Sequence, residues 1–296
     1  MEIWRCTSKI KKEKTHKLKE SYTMSDPAVV ELFDAQGVRL PSDDDVLRNR
    51  VVKPDWNFHF DAPRLEKIDQ LEPVLSRYQR FLPKDTKLPD LQEFFARFMA
   101  LVEIIRARPD MSEILHGPCL PLAFAAGEIK ADQLGDYLES RMLPGVKAAY
   151  EQQFAGRNFR HYCSGGDVTG QVKSVLKSNF KLLLENLAEG WVVGAYFPLA
   201  LFGWSVMASR KQMSTLPQDL HLVLSDAIIN AHAIMGHSDV LCRDFHVPGM
   251  DCSANIYQSP ESTLVFEAYN NGLGFSDAGN LAHACDSWSS GLLMIS

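Results

Sequence analysis

Apolar residues recur every three or four positions through the first two thirds of the chain, then give way to short alternating stretches. Between 61 and 82, Leu65, Ile68, Leu71, Leu75, Tyr78 and Leu82 follow the helical period. Asp61 reads as an N-cap, Pro63 fits a first turn and Pro83 ends the run. A second helix is predicted over 89–107, with Leu91, Phe94, Phe95, Phe98, Met99, Val102 and Ile105 on one wide face. The short link between these two predicts an antiparallel pair. Shorter helices are predicted at 27–36 and 110–116, and two more at 131–143 and 145–155, split by Pro144. A long helix over 167–188 would bury Val168, Val172, Val175, Leu176, Phe180, Leu183 and Leu187. Trp56, Phe58 and Phe60 alternate with polar residues, which predicts a short strand or an extended segment laid on the core.

The character changes at Gly190. Residues 190–209 carry no charged side chain, and twenty such residues match the length of a membrane span. Pro198 sits mid-run and Gly190, Gly194 and Gly203 dilute it, so two buried strands fit better and membrane contact is not expected. Residues 219–225 predict a strand, 226–236 a helix and 292–295 a last short strand. The run 264–269, then Asn270-Asn271-Gly272, then 273–275 predicts a β-hairpin on an Asn-Gly turn. The fold class expected is therefore α+β and predominantly helical. A helical body over 24–189 precedes a smaller mixed part over 190–296 with an antiparallel sheet.

Composition changes this picture little: 46% of the 296 residues are hydrophobic and 23% charged, as in an ordinary globular protein. The net charge of −6 weighs against a broad duplex nucleic-acid interface. Residues 1–23 depart from it, with seven Lys/Arg against three Glu, and read as a disordered basic tail. No apolar run follows that segment, so no secretory leader is expected. The six cysteines are sparse and irregularly spaced, which predicts a reducing compartment and a cytoplasmic protein.

Three constellations could carry chemistry. Cys163, after Arg160-His161-Tyr162 and before a predicted helix start, sits where a thiol pKa falls. His237 is then a candidate base for a hydrolase or transferase. Arg157, Arg160 and the backbone of Gly165 and Gly166 would suit an anion at that helix N-terminus, although Gln171 stands where a phosphate-binding loop needs Lys. His232, Cys242, His246 and Cys252 are zinc-binding residue types, but no compact ligand spacing joins them. Because none of these signatures is complete, the leading expectation is a protein that binds a protein or small-molecule partner without chemistry of its own. The hydrolase or transferase, and a protein inserting 190–209 into a membrane, are the alternatives.

Overall fold

The computed structural model describes residues 30–62, 64–269 and 271–296. The basic 1–23 segment and the start of the helix expected at 27–36 lie outside them. In chain order the helices are α1 (Asp43–Leu47), α2 (Glu72–Phe81), α3 (Leu91–Arg106), α4 (Leu134–Tyr137), α5 (Leu143–Gln153), α6 (Phe180–Glu189), α7 (Val206–Gln212) and α8 (Ala227–Leu241). The strands are β1 (Leu120–Phe124), β2 (Asn158–His161), β3 (Val172–Ser174), β4 (Val192–Phe202), β5 (Leu222–Leu224), β6 (Gly249–Cys252), β7 (Asn255–Tyr257), β8 (Thr263–Tyr269), β9 (Gly272–Ala278) and β10 (Trp288–Ile295).

Eight of these strands form one sheet in the order β1-β4-β10-β6-β8-β9-β2, with β5 also paired to β10; β3 and β7 form a separate pair. The sheet is mixed, because β10 runs parallel to β6 and β2 parallel to β9 while the remaining neighbours are antiparallel. The expectation of a predominantly helical fold with an antiparallel sheet is thereby corrected: the protein is 35% helical and 22% strand. β1 and β2, from the stretch read as all-helical, complete the two ends of the sheet built mainly by later residues. Residues Glu31–Ser296 form one compact unit.

β4 explains the uncharged run. All eleven of its residues are buried, so both faces of this strand are covered and its sequence carries no alternation. It is one strand rather than two. Pro198 is tolerated because β1 covers only Val192–Tyr196 on one side, and on the other the β10 ladder breaks between Phe197 and Leu201. The Ser289 hydroxyl donates to the Pro198 carbonyl across that gap (2.7 Å). Among the described residues no helix is long and apolar enough to cross a membrane.

α8 is the axis of the core. Asp226 caps it by accepting from the Ile229 N–H (2.7 Å), and every residue of the helix except Asp239 is buried. It packs on α2 and α5 on one side and on β1, β6 and β8 on the other. Gly236 lets Tyr78 of α2 approach, since a Cβ there would collide with the phenol ring.

Elsewhere local chemistry moves the predicted boundaries. α3 stands as read: Asp90 accepts from the Glu93 N–H (2.8 Å), and Phe94, Phe98, Leu101, Val102 and Ile105 are buried. The helix predicted over 61–82 begins only at Glu72. Pro73 would remove a hydrogen bond from a helix interior, but costs nothing in a first turn. α2 and α3 do not form the predicted pair; α2 lies on α8 and α5, and α3 on β4. Residues 30–36 are not helical, because Phe33 bridges Arg39 around a turn at Gly37 (φ 78°). Residues Ser112–His116 form a 3-10 turn. Pro144 does not split two helices: a π-helical turn, Leu138–Met142, joins α4 to α5 and places the proline in a first turn. Of the helix predicted over 167–188 only α6 forms. Gly170 (φ 67°) and Asn179 (φ 57°) turn the chain before it, and Val172–Ser174 pairs as β3 with β7. The hairpin forms as β8–β9, with Tyr269 opposite Gly272, so Gly272 belongs to the strand rather than the turn. A Cβ there would strike the Asn158 carbonyl of β2, which explains the glycine.

Candidate functional site

Each sequence-derived candidate sits in a defined setting. Cys163 follows β2 and is buried. Burial first, then the carboxylates of Asp277 and Glu139, push its thiol up to about 12. Those carboxylates organise the loop: Asp277 accepts from the Ser164 N–H (2.7 Å), and Glu139 from the Val168 N–H (2.7 Å) while pairing with His161 Nε2 (2.9 Å). The setting is the reverse of the electropositive one a reactive thiol needs. His237 marks a kink in α8, where its Nε2 meets the Pro121 carbonyl (2.9 Å) and burial lowers its pKa to about 4. Cys163 and His237 thus have separate partners.

The anion candidates are likewise dispersed. Arg157 donates to the Arg243 carbonyl and covers the Phe154 ring at 4.9 Å. Arg160 donates to the Tyr162 hydroxyl (3.1 Å), and the Gly165 N–H is taken by the Tyr257 hydroxyl (3.1 Å). Gly166 holds a turn at φ 85°, and no helix begins there. His232 is enclosed between Phe124 and Tyr78, with Nδ1 against the Ile228 carbonyl (3.1 Å), and burial lowers its pKa to about 4. His246 stacks on Phe245 at 3.9 Å; Cys242 and Cys252 are buried with their thiols pushed up. Among the described residues no three His, Cys, Asp or Glu side chains gather as a metal site.

What the sequence did not suggest is a polar seam through the core. The Tyr196 hydroxyl donates to Asn230 Oδ1 (2.7 Å), and Asn230 Nδ2 donates to the Asp251 carbonyl (3.1 Å) and reaches Cys252 Sγ (3.5 Å). The Asn255 side chain accepts from the Ala227 N–H (2.7 Å), and Ser253 and Ser290 share a hydrogen bond (2.6 Å). Two carboxyls are buried here. Asp226 is pushed up to about 7 and Asp251 to about 8, in both cases chiefly by burial. Asp226 Oδ2 and Asp251 Oδ1 have no partner. Their enclosure makes this seam part of the fold's interior rather than a place where a ligand could react.

A cleft of about 430 Å³ that meets solvent lies where α3, the Ser112–His116 turn and residues Phe60, Ala62, Arg64, Leu65 and Glu66 converge. Met99, Val102 and Arg106, three and four residues apart, line it from α3; Phe60, Leu65 and Leu115 complete an apolar floor. Arg64, Glu66, Glu113 and His116 supply the polar rim, with Cys119 alongside. Glu113 and His116 stand one 3-10 turn apart, where side chains eclipse, and Glu113 Oε2 meets His116 Nδ1 at 2.9 Å. That bond fixes the ring and leaves Nε2 without a protein partner among the described residues. Burial pushes the Cys119 thiol up to about 12, so it serves as a weak donor rather than a nucleophile.

No family model, no curated protein and no solved structure matches this chain. The functional reading therefore rests on the geometry of this cleft. Its residues were missed because an acid three positions before a histidine is common, and only the fold brings Phe60, Arg64 and Leu65 across to them.

Proposed function

We propose that this is a cytoplasmic binding protein without chemistry of its own, which takes a small amphipathic ligand, or an amphipathic side chain of a protein partner, in the cleft beside α3. One observation carries the reading: an apolar floor of Met99, Val102, Leu65 and Leu115 is bordered by charges of both signs and by an imidazole with one nitrogen available. A cleft of this size, pairing apolar side chains with convergent polar groups, is of the kind small-molecule sites use. The apolar part of a ligand would displace water from the floor while Arg64, Glu113 and His116 set its orientation. The raised thiols and the buried, neutral histidines support binding over nucleophilic catalysis. The cytoplasmic assignment is supported by five free cysteines among the described residues.

The test uses anilinonaphthalene sulfonate, an amphipathic probe, with the full chain labelled at its methionine methyl groups. Binding in the cleft shifts the Met99 methyl resonance saturably, and Met99→Trp, which fills the floor, removes the effect. An unmoved Met99 signal at millimolar probe would end the proposal.

A further inference from the structure

A second concave surface, separate from the cleft above, lies between the α2–α3 connection and the start of β4. It encloses about 570 Å³ and is lined by Gln79, Lys84, Thr86, Lys87, Leu88 and Trp191, with Pro83 at its edge. Three features of this groove point the same way. The first is charge. Lys84 and Lys87 are exposed, and neither has a carboxylate within ion-pair distance among the described residues, on a chain whose net charge is −6. Asp85, between them in sequence, lines the neighbouring 290 Å³ hollow instead. Both ammonium groups are therefore available to an anion.

The second is a prepared aromatic surface. Trp191 follows the Gly190 cap of α6 and directly precedes β4, so its backbone is fixed by the sheet. Arg97 stands over its ring at 4.2 Å and is itself held by Glu93 (3.0 Å). Trp191 is half-buried against the core and contributes the rest of its surface to the groove, which Arg97 does not line. An aromatic ring fixed in place and partly exposed in a groove offers a planar ligand a surface to stack on. The third is rigidity. The Thr86 N–H donates to the Pro83 carbonyl (3.0 Å), and the Lys87 carbonyl accepts from Ala126 beyond β1 (3.3 Å). The connection carrying the lysines is thus anchored within itself and to the sheet, which lowers the entropic cost of holding a ligand.

We infer that the groove formed by Trp191, Lys84 and Lys87 binds a mononucleotide, its base stacked on the indole and its phosphate between the two ammonium groups. Gln79 and Thr86, whose side chains have no other hydrogen bond among the described residues, supply polar groups for the sugar or base. The volume suits one small ligand, within the range of roughly 300–1,000 Å³ usual for such sites. Because the two lysines are exposed, binding weakens as salt is raised.

The experiment is calorimetric titration of the full chain with AMP, adenosine and inorganic phosphate in parallel, at low and at physiological salt. The expected result is saturable AMP binding at least tenfold tighter than either half-ligand, and weakened at least tenfold by Lys84→Glu with Lys87→Glu. Those substitutions are on exposed side chains and leave the fold intact. Upfield shifts of the adenine protons on binding, reduced in Trp191→Phe, report the stacking. Phosphate binding as tightly as AMP would reduce the site to a simple anion patch and overturn the inference. So would adenosine matching AMP, or no saturable binding at millimolar AMP. The Met99 methyl resonance should not move with AMP, which keeps this result distinct from occupancy of the cleft.

Discussion

Replacing Asp226 with Asn separates the two roles of a buried carboxyl, capping a helix and carrying a charge. In the folded protein Asp226 is fully buried, Oδ1 accepts from the Ile229 N–H, Oδ2 has no partner, and its pKa is raised from 3.8 to about 7. The folded state therefore keeps a proton that the unfolded state has already released between about pH 4 and pH 7. In that window the unfolded chain binds fewer protons, so stability falls as pH rises, and the loss is complete above about pH 7. The gap is about three pH units, which at ~1.36 kcal/mol each corresponds to ~4 kcal/mol in all. Roughly two of those units lie between pH 5 and pH 8, or ~3 kcal/mol. Asn caps helices as well as Asp does and does not ionise. Its amide brings two buried donors, a cost of ~1–3 kcal/mol that is the same at every pH. The quantity to measure is therefore the change in the stability difference with pH, from urea denaturation of both proteins at pH 5, 6, 7 and 8. The variant should gain ~3 kcal/mol on the native chain between the two extremes. Parallel pH profiles would refute the reasoning, since they require a carboxyl that ionises equally easily in both states.

Tyr196→Phe leaves Asn230 Oδ1 buried without its donor, and should lower stability by ~1–3 kcal/mol in urea denaturation. Gly291→Ala places a methyl group against the Tyr196 ring and hydroxyl, and overpacking there should cost ~1–3 kcal/mol by the same assay. The Cys163 thiol, pushed up to about 12, carries roughly one thiolate in 10⁵ at pH 7. It should react with iodoacetamide far more slowly than free cysteine, as read by mass spectrometry, and labelling at the free-cysteine rate would contradict its burial.

How much of the fold the residues announce depends on whether an element has one wet face. α3 does: its apolar period survives, and the helix Leu91–Arg106 falls within the predicted 89–107. The β8–β9 pair was legible because Leu264 to Tyr269 and Leu273 to Phe275 flank a short polar link, although close approach by β2 rather than turn geometry explains Gly272. α8 and β4 have no wet face. Fourteen of fifteen α8 residues are buried, so its apolar positions show no helical stripe, and β4 reads as a uniform run that length alone cannot distinguish from a membrane segment. The false helix over 167–179 arose the opposite way: Val168 and Val172 are buried four apart, but by a loop and a short strand. β1 and β2 are four or five residues long and acquire meaning only from partners far along the chain, β4 and β9.

The surroundings of the candidate residues were hidden for a related reason. Residue type can be read from a sequence, whereas solvent cannot, and solvent decides which form of a titratable group survives. Burial drives a thiol up and an imidazole down, in each case toward the neutral form, and the side chains that looked most reactive, Cys163, His232 and His237, are the ones so treated. Glu113 and His116 are ordinary by type and spacing, yet they remain partly exposed on the rim of an apolar cleft, where a ligand can reach them. Lys84, Lys87 and Trp191 are similarly unremarked in sequence, more than a hundred positions separating the tryptophan from either lysine. It is the packing of α3 on β4 that brings the α2–α3 connection beside the start of that strand, and so turns two solvated lysines and one half-buried indole into a shared surface.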